Sequence, residues 1–178
     1  FSPIESSQKI DNSVQDLLKK GLSVYEVNTD LLKKLVPDLI ITQAQCEACA
    51  VSLNDVKKAV SDWVGNKPDI VSLEPNYLDE VWSDFERVGE KLNSSDSYLK
   101  FKSEIEQRLE NLKQKSQQLS KRPKVVCVEW IDPLMIAANW VPELVSIAGG
   151  INMLSNPGSH SHIFKWEEIL KSNPNFII

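Results

Sequence analysis

Short runs of branched apolar residues alternate with longer stretches in which apolar residues recur at helical spacing, and this alternation is the strongest constraint on the fold. The apolar runs are predicted to be buried parallel strands at 38–42, 68–73, 124–128 and 175–178. Because parallel strands are joined by crossovers that usually contain a helix, the pattern predicts an α/β fold.

Helical segments fill most of the sequence between the predicted strands. Gly21 is predicted to close the first such segment, and Pro37 and the pair Gly149-Gly150 to end two others. The predicted helices cover 13–22, 31–36, a segment capped by Ser52 that runs through Val56 to Trp63, 78–88, 95–120, 140–148 and 166–170.

The predicted helix 95–120 is far longer than the others and contains neither Gly nor Pro. At 1.5 Å per residue it spans roughly 35–40 Å, more than is needed to cross one face of a small sheet. We therefore expect it to connect two lobes, with the remainder of an N-terminal α/β lobe in 1–94, the connecting helix in 95–122 and the first part of a C-terminal α/β lobe in 123–178. The alternative is a long helix packed along a single sheet. Because the sequence stops on a predicted strand, we expect the second lobe to be incomplete.

Charge and hydropathy exclude several classes of partner. The chain has 20 Lys and Arg against 25 Asp and Glu, a net charge of -5, and no basic stripe that could neutralise a run of phosphates. Nucleic acid is therefore not an expected partner. No apolar run approaches the roughly 20 residues that span a bilayer, so we expect no membrane insertion of this chain. Phe1 to Pro3 show no export-signal pattern, and the compartment is not readable from these residues.

Motifs that support catalysis are missing from the sequence. It shows no Ser-His-Asp arrangement, no Gly-rich phosphate loop and no paired-carboxylate motif, and it has only two histidines for acid–base work near neutral pH. We therefore expect a binding module and not an enzyme.

Ligands of parallel α/β sheets sit outside the carboxyl ends of the strands, which directs attention to the loops after 42, 73 and 128. Polar and aromatic residues in these loops are the predicted ligand-binding residues: Gln43, Gln45, Glu74, Tyr77, Glu129 and Trp130. The segment 157–162, with Ser161, is expected to close the same space; the alternative is an ordinary solvated turn.

Trp130 is the tryptophan expected to stack on a flat ligand, because an aromatic face offers a large contact area at small entropic cost. Core packing is the alternative role. The remaining tryptophans lie within helical patterns and are interpreted as core or groove fillers: Trp63, Trp82, Trp140 and Trp166. Four glutamates are interpreted as solvated carboxylates without a further role: Glu47, Glu90, Glu143 and Glu168.

Cys46 and Cys49 form a C-x-x-C motif in a predicted strand-to-helix loop. This placement allows a thiol of lowered pKa, a small disulfide or a metal ligand. Together with His160 and His162 the two cysteines would complete a four-ligand zinc set if their loops meet, although the spacing does not require it. A thiol-redox or metal-binding protein is therefore the alternative function.

The order of several stretches resembles one protein family. The stretches are LVPDLIIT (35–42), CEACAVS (46–52), VSLEP (71–75), VCVEWIDP (126–133), WVPEL (140–144), AGG (148–150), WEEI (166–169) and NPNFII (173–178). In combination they resemble the helical-backbone, or class III, solute-binding proteins of ABC importers, and look most like the cobalamin-binding subgroup.

The resemblance implies two Rossmann-like lobes joined by one long helix, with a cobalamin-like or ferric-siderophore ligand captured between them. The ligand would be cargo for an ABC transporter permease, so no resident cofactor is expected, and the location would be periplasmic or otherwise extracytoplasmic. The resemblance favours a structural or ligand-side role for Cys46 and Cys49 over redox catalysis, and Cys46 joins the predicted ligand-binding residues. Relative to the family pattern the chain looks truncated at both ends.

Overall fold

The computed structural model describes residues 6–20, 24–25, 27–45, 51–61 and 67–178. Within these ranges the helices are α1 (Ser7–Lys19), α2 (Thr29–Leu35), α3 (Leu53–Ser61), α4 (Leu78–Lys91), α5 (Ser95–Gln117), α6 (Val141–Ile147) and α7 (Trp166–Ser172). The strands are β1 (Leu39–Gln43), β2 (Asp69–Leu73), β3 (Lys124–Val126), β4 (Val128–Ile131), β5 (Leu134–Ile136), β6 (Ile151–Asn152), β7 (His162–Ile163) and β8 (Phe176–Ile177). The predicted α/β alternation is confirmed.

β1 and β2 form a two-stranded parallel sheet in which Ile41 lies opposite Val71. Val71 is buried in this sheet, and α3, which contacts β1, contributes the buried side chains of Val56 and Val60. The two valines of α3 lie four residues apart and therefore on one face of the helix. The apolar, β-branched strand sequences thus pack as expected, with α3 covering part of the sheet.

β3 lies at the centre of a second parallel sheet, between β6 and β8. It does not pair with β1, as it would in a single continuous sheet. The strand predicted at 124–128 is shorter than expected, because β3 ends at Val126. The backbone leaves that sheet at Cys127, whose carbonyl accepts a hydrogen bond from the Ala137 N–H at 2.8 Å.

The region predicted as a loop after residue 128 is in fact a third sheet. β4 and β5 form an antiparallel hairpin around a turn at Asp132-Pro133, and β7 pairs antiparallel with β5. Side chains alternate along β4, with Val128 and Trp130 half-buried and Glu129 and Ile131 exposed.

The main apolar cluster joins β3, the hairpin and α7. Val126, Ile136 and Ile169 are fully buried there. Half-buried apolar side chains surround them: Val128, Leu134, Met153, Leu154 and Phe164. Full burial of a branched aliphatic side chain stabilises a fold by about 1.5–3 kcal/mol, so this cluster is the principal source of stability for the second sheet.

The described residues divide into two compact units. One comprises 6–11, Pro75–Trp82 and Leu99–Ile178; the other comprises 12–74, apart from the gaps stated above, and Ser83–Tyr98. We call them the C-terminal and the N-terminal unit. The lobe boundaries expected at 94 and 122 remain a prediction.

α5 confirms the long helix predicted from the sequence, with 23 residues and a length of about 35 Å. Its apolar stripe is only partly covered, because Tyr98 is buried while Phe101 and Leu112 remain exposed. Near its start Tyr98 packs against Gly89 of α4. In the described part of the chain no helix is long and apolar enough to cross a membrane.

Candidate functional site

The predicted site residues of the N-terminal unit lie at the carboxyl ends of β1 and β2. The Ala44 N–H donates to the Leu73 carbonyl at 3.0 Å, which holds the two chain ends side by side. Gln43 Nε2 donates to Gln45 Oε1 at 3.3 Å, and the Ser72 hydroxyl donates to Glu74 Oε1 at 2.9 Å. The structure therefore places Gln43, Gln45 and Glu74 at one edge of one sheet, as parallel pairing requires.

Cys46 and Cys49 lie outside the described residues, so their predicted roles stay predictions. His160 and His162 are both exposed, and the His162 ring lies 4.5 Å from the ring of Phe164, centroid to centroid. Among the residues that the structure does describe, no three His, Cys, Asp or Glu side chains gather where they could hold a metal ion.

The C-terminal unit brings Glu129 and Ser161 together from segments 32 residues apart. The Ser161 hydroxyl donates its proton to Glu129 Oε2 and accepts the Ala138 N–H at 3.2 Å. Both hydrogen-bonding functions of the hydroxyl are thus engaged, and the Glu129 carboxylate is oriented at the exposed face of β4. Ser161 and Glu129 were predicted as site residues on separate grounds, and the fold places them in contact.

Trp130 is half-buried in β4, and its indole N–H donates to the Asp132 carbonyl at 2.9 Å. The hydrogen bond is made within the hairpin turn, which leaves the ring as the part of this side chain that can meet a ligand. Of the tryptophans interpreted as core fillers, Trp82 and Trp140 are half-buried, whereas Trp63 lies outside the described residues. The interpretation was wrong for Trp166, which is 50% exposed at the start of α7.

The segment 155–161 contains a turn at residues 157–158 and is held in place by hydrogen bonds. The Ser155 hydroxyl donates to the Ala137 carbonyl at 2.7 Å and accepts from Asn152 Nδ2 at 2.9 Å. The Gly158 N–H donates to the Asn139 carbonyl at 3.0 Å, and the Asn139 N–H donates to the Ser159 carbonyl at 2.8 Å. These bonds attach the segment to residues 137–139, just after β5.

Tyr77 packs on this segment, within the C-terminal unit. Gly158 has a φ of +76°, and a Cβ placed on it would lie 2.1 Å from Tyr77 Cζ. Only glycine permits this contact, because any side chain would overlap the phenol ring and strain the backbone. Tyr77 is 43% exposed, so one part of its ring covers Gly158 while the rest faces solvent.

Two glutamates accept hydrogen bonds from backbone N–H groups at the start of α4 and just before it, beside Tyr77. Glu80 Oε2 accepts from Asn76 N–H at 2.7 Å and from Tyr77 N–H at 3.2 Å. Glu143 Oε2, from α6, accepts from Leu78 N–H at 2.8 Å. These groups have no partner inside the helix, and a carboxylate at this end also complements the helix dipole.

The sequence interpretation missed this role of Glu143, and it likewise missed Glu168, which accepts from Lys165 N–H at 2.9 Å at the start of α7. Glu168 lies three residues after Lys165, the residue that precedes α7, and this capping spacing can be read from the sequence. Glu80 has the same spacing from Tyr77. Glu143 has no such signal, because its partner lies 65 residues away.

The described residues form two ion pairs, Arg87–Asp84 and Lys91–Asp69, and neither involves Glu129. Arg87 also donates to the Ser72 carbonyl at 2.7 Å. Burial raises the pKa of the Cys127 thiol above its ordinary value, so this cysteine is held as the neutral thiol and not as a reactive thiolate.

A comparison with known protein families matches residues 3–178 to a family described as periplasmic binding protein. This chain belongs to that family. The resemblance to solute-binding proteins that was stated from the sequence is therefore confirmed at the level of this family. Among curated protein sequences no relative matches this family member.

Solved structures share the fold of this periplasmic binding protein at low identity. The vitamin B12 binding protein BtuF of Vibrio cholerae is 19% identical with a TM-score of 0.62, over 85% of this chain and 57% of BtuF. IsdE of S. aureus, solved with heme, is 17% identical with a TM-score of 0.62, over 85% of this chain and 57% of IsdE.

An ABC transporter substrate-binding protein of Listeria monocytogenes is 16% identical with a TM-score of 0.66, over 84% of this chain and 55% of that protein. The chain therefore spans a little more than half the length of these relatives. At such identities the likeness establishes the fold and leaves the ligand open.

Proposed function

We propose that this chain is the substrate-binding part of an ABC importer and that it works outside the cytoplasm. In this role it captures a cobalamin-like or ferric-siderophore ligand and delivers it to the membrane permease of the importer. The observation that carries the proposal is the family match over residues 3–178. The neighbours whose ligands are named bind vitamin B12 or heme, and another is described as a possible iron-binding protein.

The proposed ligand-binding residues are taken unit by unit, and most of them lie near the carboxyl ends of parallel strands, where open α/β sheets bind ligands. In the N-terminal unit they are Gln43, Gln45 and Glu74. In the C-terminal unit they are Tyr77, Glu129, Trp130 and Ser161. Cys46 is also proposed as a ligand-binding residue, and only the resemblance of its sequence motif to the family supports it. Binding and release, and not catalysis, are the activity proposed for these residues.

The Glu129–Ser161 pair supports the proposal because both side chains are fixed before a ligand arrives. An ordered hydroxyl and carboxylate lose little further side-chain entropy on binding, which lowers the cost of forming a complex. Trp130 follows Glu129 in β4 and alternates with it in exposure, and its ring provides an apolar face of the kind that stacks on flat ligands.

Titration of the chain with cyanocobalamin and with a ferric siderophore, followed by tryptophan fluorescence, tests the proposal. We expect saturable binding of at least one of them. Trp130→Ala should weaken that binding by roughly 10-fold or more, because aromatic residues at the centre of an interface dominate its energy. The matched control Trp166→Ala removes the exposed indole of α7 and should leave affinity unchanged. Equal losses in the two variants would remove Trp130 from the site.

A further inference from the structure

The two strands of the N-terminal sheet have outer edges of different character. Among the described residues this sheet consists of β1 and β2, so each strand has one edge that faces away from the other. An open strand edge offers N–H and C=O groups to another chain, and natural proteins protect such edges with charged side chains, prolines or covering elements. The protection of each edge therefore indicates whether it is available for pairing.

The first and last hydrogen bonds between the strands show which backbone groups face which way. The Asp69 N–H donates to the Asp38 carbonyl at 2.9 Å, and the Ala44 N–H donates to the Leu73 carbonyl at 3.0 Å. The backbone groups of successive residues in a strand point in opposite directions. Even-numbered residues of β1 and odd-numbered residues of β2 therefore bond to the other strand, and the remaining residues direct their groups to the outer edges.

Charged side chains protect the outer edge of β2. The carbonyl of Ser72 points to this edge and accepts a hydrogen bond from Arg87 of α4 at 2.7 Å. Arg87 also forms an ion pair with Asp84, one turn earlier in the same helix. Both strands and both of these charged residues belong to the N-terminal unit. A further strand would have to displace this pair before it could bond to β2.

The outer edge of β1 has no comparable protection within the described part of the chain. The backbone groups of Leu39, Ile41 and Gln43 point to it, and no described strand pairs with it. The strand sequence LIITQ contains no charged residue and no proline, and its β-branched residues favour extended structure. Ile41, at the centre of the strand, is 47% exposed. These are the properties of a strand edge that pairs with another chain.

Open apolar space also lies against β1. A groove of about 470 Å³ is lined by residues 40–43 of the strand together with Val27, Leu32, Val51, Val56 and Leu73. Nearly all of these side chains are apolar, so an apolar side chain that enters the groove is removed from water. The strand thus presents backbone hydrogen-bonding groups and apolar surface side by side.

We propose that β1 pairs in antiparallel orientation with β1 of a second copy of this chain, so that the two N-terminal sheets join into one with the strand order β2, β1, β1, β2. A two-fold axis at Ile41 places this residue opposite its own counterpart and Leu39 opposite Gln43. The three residues whose groups face the edge then all form hydrogen-bonded pairs, with about six backbone hydrogen bonds between the copies. Such a contact is isologous, which is the usual kind in homodimers.

The strand is a suitable partner for itself because no charge opposes the pairing. Asp38, the charged residue next to β1, comes to lie opposite Ala44 and not opposite its own counterpart, and like charges directly opposite each other would destabilise the pair. A sheet of two strands is only marginally stable, and further strands stabilise it. The dimer does not depend on the proposed transport function, and its failure would leave that function untouched.

Sedimentation velocity of the chain between about 1 and 200 µM tests the proposal, and we expect a reversible dimer whose fraction rises over this range. Ile41→Lys should weaken dimerisation by at least about 10-fold, because two like charges then meet at the axis. The control Leu112→Lys changes a side chain of similar exposure on α5, 49% against 47%, and should alter the dissociation constant less than about 2-fold. Circular dichroism checks that both variants fold. Equal dissociation constants for the two variants would refute the proposal.

Amide exchange measured residue by residue on the unsubstituted chain provides a test that requires no variant. Exchange at Leu39, Ile41 and Gln43 should slow by at least about 10-fold between the lowest and highest concentration, whereas Ile40 and Thr42, already bonded to β2, should change less than about 2-fold. A dimer formed elsewhere on the surface would not produce this alternation, and its absence would overturn the proposal. A chain that stays monomeric at 200 µM would also overturn it. If an added LIITQ peptide then protects the same three amides, the partner of this edge is a strand of a different protein.

Discussion

The strand-end segments of the two units are held in different ways. In the C-terminal unit Ser155 bonds to Ala137 across 18 residues, Ser161 to Glu129 across 32 and Leu78 to Glu143 across 65. In the N-terminal unit the side-chain hydrogen bonds at the strand ends have a shorter range: Gln43 to Gln45 and Ser72 to Glu74 across two residues, Thr42 to the Val51 carbonyl across nine and Arg87 to the Ser72 carbonyl across 15. The strand ends of the C-terminal unit are therefore joined to residues farther along the chain than those of the N-terminal unit.

The apolar side chains of the two units also differ in how completely they are buried. Among the described residues the largest fully buried side chains, Val126, Ile136 and Ile169, belong to the C-terminal unit, whereas Val56, Val60 and Val71 of the N-terminal unit retain 5% exposure each. A surface that must hold a ligand in fixed geometry benefits from a rigid support. We expect the C-terminal unit to supply that rigidity.

Replacing Ile169 by Ala gives the largest expected effect on this comparison. The change empties a fully buried site and should lower the free energy of unfolding by about 2–5 kcal/mol. Its helix neighbour Leu170 is 59% exposed, and Leu170→Ala should cost less than about 0.5 kcal/mol. Urea unfolding followed by tryptophan fluorescence measures both.

Amide hydrogen exchange in the Ile169→Ala variant then tests whether the two units are separate. Exchange should accelerate in β3, β6 and β8 while β1 and β2 keep their protection, because local unfolding follows cooperative units. Equal acceleration in all five strands would show that the two sheets share one cooperative core, and the comparison would fail.

Gly158→Ala should cost about 1–3 kcal/mol, because it places a Cβ inside the Tyr77 ring and forces a residue with a side chain into the left-handed region. In a Tyr77→Ala background the same change should cost at least about 1 kcal/mol less, since only the backbone strain remains. Thermal unfolding of the four proteins measures the difference. An identical cost in both backgrounds would mean that the Tyr77 ring does not rest on Gly158.

Ser155→Ala and Ser72→Ala compare the two kinds of strand-end bond directly. Ser155→Ala removes one donor and one acceptor from a half-buried network and should cost about 1–2 kcal/mol. Ser72→Ala removes a bond to an exposed carboxylate and should cost less than about 0.5 kcal/mol. The two midpoints in urea are the measurement, and a larger loss at Ser72 would contradict the proposed difference in order.

The smallest effect concerns Cys127, where the chain passes from one sheet to another. Because burial raises its pKa in the folded state, the thiol contributes stability below the unfolded-state pKa of about 8.5 and loses that contribution as the pH rises above it. Iodoacetamide should also alkylate Cys127 more slowly at pH 8 than it alkylates an unfolded control peptide. Peptide mapping by mass spectrometry measures the rate, and equal rates would show that the thiol is not desolvated.

Local patterns in the sequence predicted the helices and the parallel strands well. The strand predicted at 38–42 corresponds to β1, the one at 68–73 to β2, and the helix at 95–120 to α5. They succeed because each depends on side-chain periodicity within one segment. The hairpin, β7 and the parallel strand β6 were missed because these strands are short and gain their stability from pairing with other segments of the chain.

The residues of the candidate site also fall into those that local sequence patterns predicted and those that they did not. Parallel topology is enough to place Gln43, Gln45 and Glu74 at strand ends, and these positions were predicted. Three contacts were not predicted: the hydrogen bond of Ser161 with Glu129, the packing of Tyr77 on Gly158 and the hydrogen bond by which Glu143 caps α4. The spacing of residues in the sequence cannot predict these contacts, because they form only when separate segments pack together.

The sequence by itself determined the α/β alternation and the long helix. Tertiary structure alone decided that β3 pairs with β6 and β8 and not with β1. It also decided which glutamates accept backbone hydrogen bonds and which are only solvated, as the bond from the Leu78 N–H to Glu143 shows. The physical reason is range. Periodicity and charge are properties of contiguous residues, whereas strand partners and carboxylate contacts depend on which segments come together when the apolar side chains are buried.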